Sequence, residues 1–160
     1  MTTTTYTARP ITPRALKELR TTDDAGRRTD GFTDTEGGSP LRCCLRHSEP
    51  GERLALVSYA PLRRWAAETG ATPGPYDEQG PVFIHADACA GPAGDILPFT
   101  GSHRTVRRYS AEGRILGGRL VGEPDAFGQA LREAFDDPAV ALVHVRAVEY
   151  GCFLYEVRRG

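Results

Sequence analysis

The sequence predicts an α+β domain built on a mainly antiparallel sheet or a partly closed barrel, with two or three short helices. Strand-like segments outnumber helical ones, and they do not alternate regularly with helices as parallel βαβ units would. Glycine and proline together supply 30 of the 160 residues, about 19% against a usual ~12%, so the elements are short and turns are many. A chain of this length has enough volume for one buried core without disulfides or metals. The expectation is a single domain over residues 1–160, with 1–10 and 21–40 as its mobile parts.

In chain order, Pro13 opens a helix over 14–20 that sets Leu16 and Leu19 on one side. Thr21 to Pro40 is dense in Asp, Gly, Thr and Arg with Phe32 its one large apolar residue, and reads as an exposed loop. Arg53 to Tyr59 is a strand that Pro61 closes. Residues 62–69 form a short helix stopped by Gly70. Gly80 to Ala86 is a strand with Phe83 and His85 on one face and Val82 and Ile84 on the other. Arg104–Tyr109 and Arg114–Val121, joined through Ser110-Ala111-Glu112-Gly113, are the clearest hairpin. Pro124 to Phe135 is the best helix, because Phe127, Ala130, Leu131, Ala134 and Phe135 recur at three-and-four spacing. A second hairpin, Ala139–Val148 with Cys152–Val157, ends the chain.

Composition narrows function by exclusion. The net charge is −1, and residues 1–80 hold 11 charges of each sign, so no basic field recruits nucleic acid or an anionic membrane. Nineteen of the 20 basic residues are arginine, Lys17 being the exception. Neither Gly-x-Gly-x-x-Gly nor a phosphate loop ending in Lys-Ser/Thr occurs, and the motifs assign no cofactor and no reaction class. The N-terminus lacks a basic region followed by an apolar stretch, and no run approaches a membrane span, which predicts a cytoplasmic protein with reduced thiols at Cys43, Cys44, Cys89 and Cys152.

Three constellations could carry chemistry. Cys44-x2-His47 and His85-x3-Cys89 have a spacing at which one turn can offer two ligands to zinc, although both cysteines also read as small buried hydrophobes, and no metal is assigned on this basis. Cys152, Cys44 or Cys89 would become a nucleophile with His85 or His144 as its base. Arg42, Arg107 or Arg108, and Arg146 lie on or beside strands. There they either grip an anion or cover a solvent face, His144 and Arg146 sharing one side of their strand.

The run Leu41-Arg42-Cys43-Cys44-Leu45 through Pro50-Gly51-Glu52, then Gly80-Pro81-Val82-Phe83-Ile84-His85, Arg108-Tyr109 with Gly113-Arg114-Ile115, and Val143-His144-Val145-Arg146 with Gly151-Cys152 resembles a bacterial family known only as a domain of unknown function. The resemblance spans about residues 40–158. It implies Arg42, the Pro-Gly-Glu turn and the Gly151-Cys152 step as shared features, and it implies no activity. The family pattern often has Pro-Cys-Arg where this chain has Pro40-Leu41-Arg42, and not every member has a histidine at 85; both departures weigh against a shared zinc site.

The leading expectation is a pocket for a small polar or anionic ligand lined by Arg42, Cys44, His85, Arg108, Arg146 and Cys152. One alternative is an enzyme with a Cys/His thiol or a zinc site drawn from Cys44, His47, His85 and Cys89. The other is an interaction module that dimerises through an exposed hairpin edge.

Overall fold

A computed structural model describes residues 6–94 and 97–159. Part of the expectation for residues 1–10 therefore lies outside the described residues. Helix α1 spans Pro13–Leu19, α2 Pro61–Thr69 and α3 Phe127–Asp136, entered through a single 3-10 turn at Pro124–Ala126. The strands are β1 Gly31–Thr33, β2 Arg53–Tyr59, β3 Gly80–His85, β4 Arg104–Ser110, β5 Ile115–Val121, β6 Val140–Ala147 and β7 Phe153–Arg158.

Every pairing between these strands is antiparallel, as the turn-rich sequence predicts. The strands divide into two open sheets, ordered β1-β2-β3 and β5-β4-β6-β7, and neither closes into a barrel. Pro81 in β3 has no N–H to give, a restriction typical of edge strands. The free side of β3 is instead met by the loop before β2, where Leu41 bridges Phe83 and the Arg42 N–H donates to the Phe83 carbonyl at 3.0 Å. Strand β1 was not foreseen. Its three residues are all exposed, so no alternation of apolar and polar side chains marks it.

Each helix is where its apolar stripe predicts. Helix α3 buries Phe127, Ala130, Leu131, Ala134 and Phe135 against Val106, Val143, Val145 and Val157 of the four-stranded sheet. Leu62 and Trp65 of α2 pack with Tyr109 and Leu142 on that sheet's other face. Helix α1 buries Leu16 and Leu19 in the apolar cluster that also holds Ala55 and Val57 of the three-stranded sheet. Gly70 caps α2 at φ 77°, a left-handed conformation that a side chain would strain. Thr12 caps α1, its Oγ1 accepting the Ala15 N–H at 3.2 Å. Thr12→Ala is expected to cost about 1 kcal/mol, lowering the melting temperature by roughly 2–4 °C in a thermal scan.

Because β6 lies inside the four-stranded sheet with α3 packed on one face and α2 on the other, its His144 side is not a solvent face. His144 is 1% exposed, its ring 4.8 Å from that of Tyr109 and 4.9 Å from that of Phe153. Its Nε2 lies 3.0 Å from Glu156 Oε1, while Arg158 donates to Glu156 Oε2 at 2.7 Å. Burial lowers the His144 pKa from its ordinary value, against the pull of Glu156 and with Arg146 and Arg107 adding to the lowering. The folded protein thus holds a neutral His144, whereas the unfolded chain takes up a proton near pH 6.5. Stability is fully present above that pH and falls as pH drops below it, by at most about 1.4 kcal/mol per pH unit from this group. Denaturant titrations between pH 7.5 and 5.5 check the sign, and His144→Gln, which can donate to Glu156 without titrating, is expected to flatten the slope.

Candidate metal centre

A turn, a strand end and a second turn converge on one edge of the three-stranded sheet. The segment 40–47 folds back on itself: Pro40 bridges His47, the Leu41 N–H donates to Arg46 at 2.8 Å, and the Leu45 N–H donates to Leu41 at 2.9 Å. Leu45 takes a left-handed backbone, φ 59°, unusual for a residue with a branched side chain and therefore held by these surrounding bonds. The result presents two adjacent side chains, Cys43 and Cys44, to the end of β3. There the His85 N–H donates to Cys43 Sγ at 3.2 Å. The turn after β3 brings in Cys89, which is half-buried.

Cys43 Sγ is 3.9 Å from Cys44 Sγ. His85 Nδ1 is 3.3 Å from the first sulfur and 3.8 Å from the second. The donor atoms of Cys43, Cys44, His85 and Cys89 all lie within 4.8 Å of one another. Around a tetrahedral zinc with its usual bond lengths, sulfurs sit roughly 3.8 Å apart and sulfur to nitrogen roughly 3.5 Å. The two sulfur–nitrogen separations here, 3.3 and 3.8 Å, fall on either side of the second value, and the 3.9 Å between the sulfurs is close to the first.

The other ring nitrogen of His85 is equally constrained. Nε2 lies 2.6 Å from Glu52 Oε2. Glu52 accepts two bonds from Arg46, at 2.8 and 2.7 Å, and the Glu49 N–H at 2.7 Å. The paired Arg46 guanidinium, then the Glu49 amide and His85, hold the Glu52 carboxyl far below the usual carboxylate range. An ionised Glu52 favours the tautomer with its proton on Nε2, which leaves the Nδ1 lone pair facing the sulfurs. The turn that delivers Glu52 is itself anchored. Gly51 adopts φ 94°, its N–H donates to the Asp34 carbonyl at 2.6 Å, and Ser48 Oγ donates to Asp34 Oδ2 at 2.5 Å.

The two adjacent thiols divide one proton unequally. Cys43 donates to Cys44, which lowers the Cys44 pKa, with His85 and Arg46 assisting; the same bond, with burial, pushes Cys43 up. A cation taking this place would displace the remaining thiol protons. Cys44, His85 and Cys89 line a surface depression of about 320 Å³ with Arg46 and Glu52, so the centre is reachable from solvent.

Among the sequence-predicted residues, Cys44, His85 and Cys89 therefore meet. His47 does not join them, its ring standing edge-on to Phe99 at 5.1 Å. Cys43 takes the fourth place; it is adjacent to Cys44, whereas the pairs Cys44-x2-His47 and His85-x3-Cys89 have two or three residues between ligands. The only sequence signal for it was the Cys-Cys dipeptide itself. Glu52 was read as a turn residue, and its proximity to His85 arises from strand pairing between β2 and β3, not from chain distance.

The remaining expected residues are dispersed. Arg42 is 3% exposed, its Nε donating to the Phe153 carbonyl at 2.8 Å and its Nη1 to Pro40. Arg146 and Cys152 line a separate depression of about 120 Å³ beside Glu78 and Tyr59. Arg146 donates to the Gly151 carbonyl at 2.9 Å and pairs with Glu78 at 3.3 Å. Arg108 pairs in register with Val143, one residue out of phase with Arg146, and so lies on the opposite face, near α3.

These features define an α+β domain of two antiparallel sheets, carrying a three-cysteine, one-histidine cluster at one sheet edge. The chain belongs to the family described as Protein of unknown function (DUF1203), whose model matches residues 38–159. That span contains all four cluster residues together with Arg46 and Glu52. No curated protein and no solved structure matches the chain. Among the described residues, no helix is long and apolar enough to cross a membrane.

Proposed function

We propose that this DUF1203 domain binds one zinc-class ion through Cys43, Cys44, His85 and Cys89. The observation that carries the reading is the set of donor separations, 3.3, 3.8 and 3.9 Å, which a tetrahedral ion would span with little movement. Three thiolates and one imidazole form a soft donor set that prefers zinc to the hard cations calcium and magnesium. The Glu52 contact to His85 is the carboxylate-histidine arrangement that supports metal-bound imidazoles. Four protein ligands complete a tetrahedron, so the ion acts first by tying the 40–47 segment, the end of β3 and the turn after it together. The small-anion reading has weaker support, because among the described residues the depression lined by Cys44 and His85 includes none of Arg42, Arg108 and Arg146.

The test is a titration of reduced, metal-free protein. One equivalent of zinc is expected to bind with proton release, and cobalt(II) in its place is expected to show the intense visible bands of a tetrahedral thiolate site. Cys43→Ser and His85→Ala are each expected to lose the tight equivalent while keeping the far-ultraviolet circular dichroism of the fold. Wild-type protein that takes up neither ion overturns the reading.

A further inference from the structure

Resting on that metal reading, we infer that the centre is an oxidant-responsive one, in which a hydroperoxide joins Cys44 to Cys89 as a disulfide and thereby releases the ion. The four ligands are not equivalent. Cys43 is 2% exposed and Cys44 7%, both within one buried apolar cluster, but Cys43 lines neither of the depressions that Cys44 lines, and its sulfur already accepts the His85 amide. Cys44 and Cys89 both line the open depression, together with Ala88, Ala90 and Gly91. Cys44 lines a second opening as well, beside Thr7, Ala8 and residues 91–94. A peroxide arriving from solvent thus meets these two sulfurs first.

Geometry also selects the pair. Cys43 and Cys44 are neighbours in sequence, and joining them would close an eight-membered ring across a peptide bond that resists leaving planarity. Cys44 and Cys89 sulfurs lie within 4.8 Å. A disulfide needs about 2.05 Å, so closure asks for a shift of at most about 3 Å. Cys89 stands on a turn beyond the end of β3, outside the ladder that fixes His85 against Leu54.

The Cys44 thiolate attacks one peroxide oxygen. The O–O bond breaks, Cys44 becomes a sulfenic acid, and the departing oxygen takes a proton to leave as water or an alcohol. The Cys89 thiolate then attacks the Cys44 sulfur; the S–S bond forms, the S–O bond breaks and hydroxide leaves as water after protonation. Two electrons pass from the two sulfurs to the peroxide. Only Cys43 and His85 remain as donors, and two ligands do not hold zinc against a chelator.

The experiment treats zinc-loaded protein with hydrogen peroxide in the presence of a chromogenic chelator, and maps the product by tandem mass spectrometry. The expected result is release of the whole equivalent, a chain lighter by two hydrogens, a Cys44–Cys89 link, and recovery of binding on adding a dithiol. Metal-free protein is treated in parallel: Cys43→Ser is expected to form the same link and Cys89→Ser to lose it. Zinc that stays bound under peroxide, a link through Cys43, or oxidation to sulfinic acid without a link overturns the inference while leaving the metal reading intact. Failure of untreated protein to bind zinc overturns both.

Discussion

Replacing Arg42 by alanine is expected to destabilise the domain by about 3 kcal/mol or more, one of the largest effects of any single side chain outside the apolar core. The guanidinium is buried with no carboxylate partner among the described residues and is compensated by carbonyls, Phe153 at the start of β7 and Pro40 before the cysteine turn. Burial, with Arg104 nearby, lowers its pKa to about 10 against the opposing influence of Cys152, so the group stays charged at neutral pH. The same residue's backbone accepts the Ile11 N–H at 2.9 Å and donates to Phe83 at 3.0 Å. One residue therefore ties the N-terminal segment, the three-stranded sheet and the four-stranded sheet together. Truncation takes the donor from one buried and one part-buried carbonyl and opens a cavity, each of which is costly. Arg42→Met restores much of the volume and removes a buried charge, and is expected to cost less than alanine. Urea unfolding of both variants measures the difference; an alanine variant as stable as wild type would assign Arg42 to the surface chemistry that its position beside a strand first suggested.

The second large effect is on metal affinity. Glu52→Gln is expected to weaken zinc binding roughly ten- to a hundredfold, about 1.4–2.8 kcal/mol, without changing the ligands themselves. The neutral amide loses the paired contact with Arg46 and no longer fixes the His85 tautomer by charge. Glu52→Asp keeps the charge on a shorter side chain and should fall between. Competition against a chromogenic chelator at fixed pH measures both, and equal affinities for wild type and Glu52→Gln would remove Glu52 from the centre.

The fold was largely legible because its elements announce themselves locally. The α3 stripe, the Ser110–Gly113 turn and the glycine after α2 each satisfy a rule that needs no distant partner. Division into two sheets was not legible, since strand pairing is a long-range choice, and here Leu41 and Arg42 cover the edge of β3 that would otherwise continue the sheet. The centre shows the same division. Cys44, His85 and Cys89 could be named from residue type and short spacing, whereas Cys43 was hidden by adjacency and Glu52 by thirty-three residues of separation from His85. The arginines are dispersed for a physical reason: strand alternation puts Arg108 and Arg146 on opposite faces once the register with β4 is known, and a sequence does not state the register.

The amide of His85 points at a sulfur rather than at a carbonyl oxygen. That small irregularity gives the molecule an internal reporter. In a nitrogen-15 spectrum this one resonance should move when Cys43 gains a metal bond, since the electron density it leans on has changed. With cadmium-113 in the centre, magnetisation could pass from the metal nucleus through sulfur to that amide proton. Occupancy could then be followed residue by residue without any chromophore.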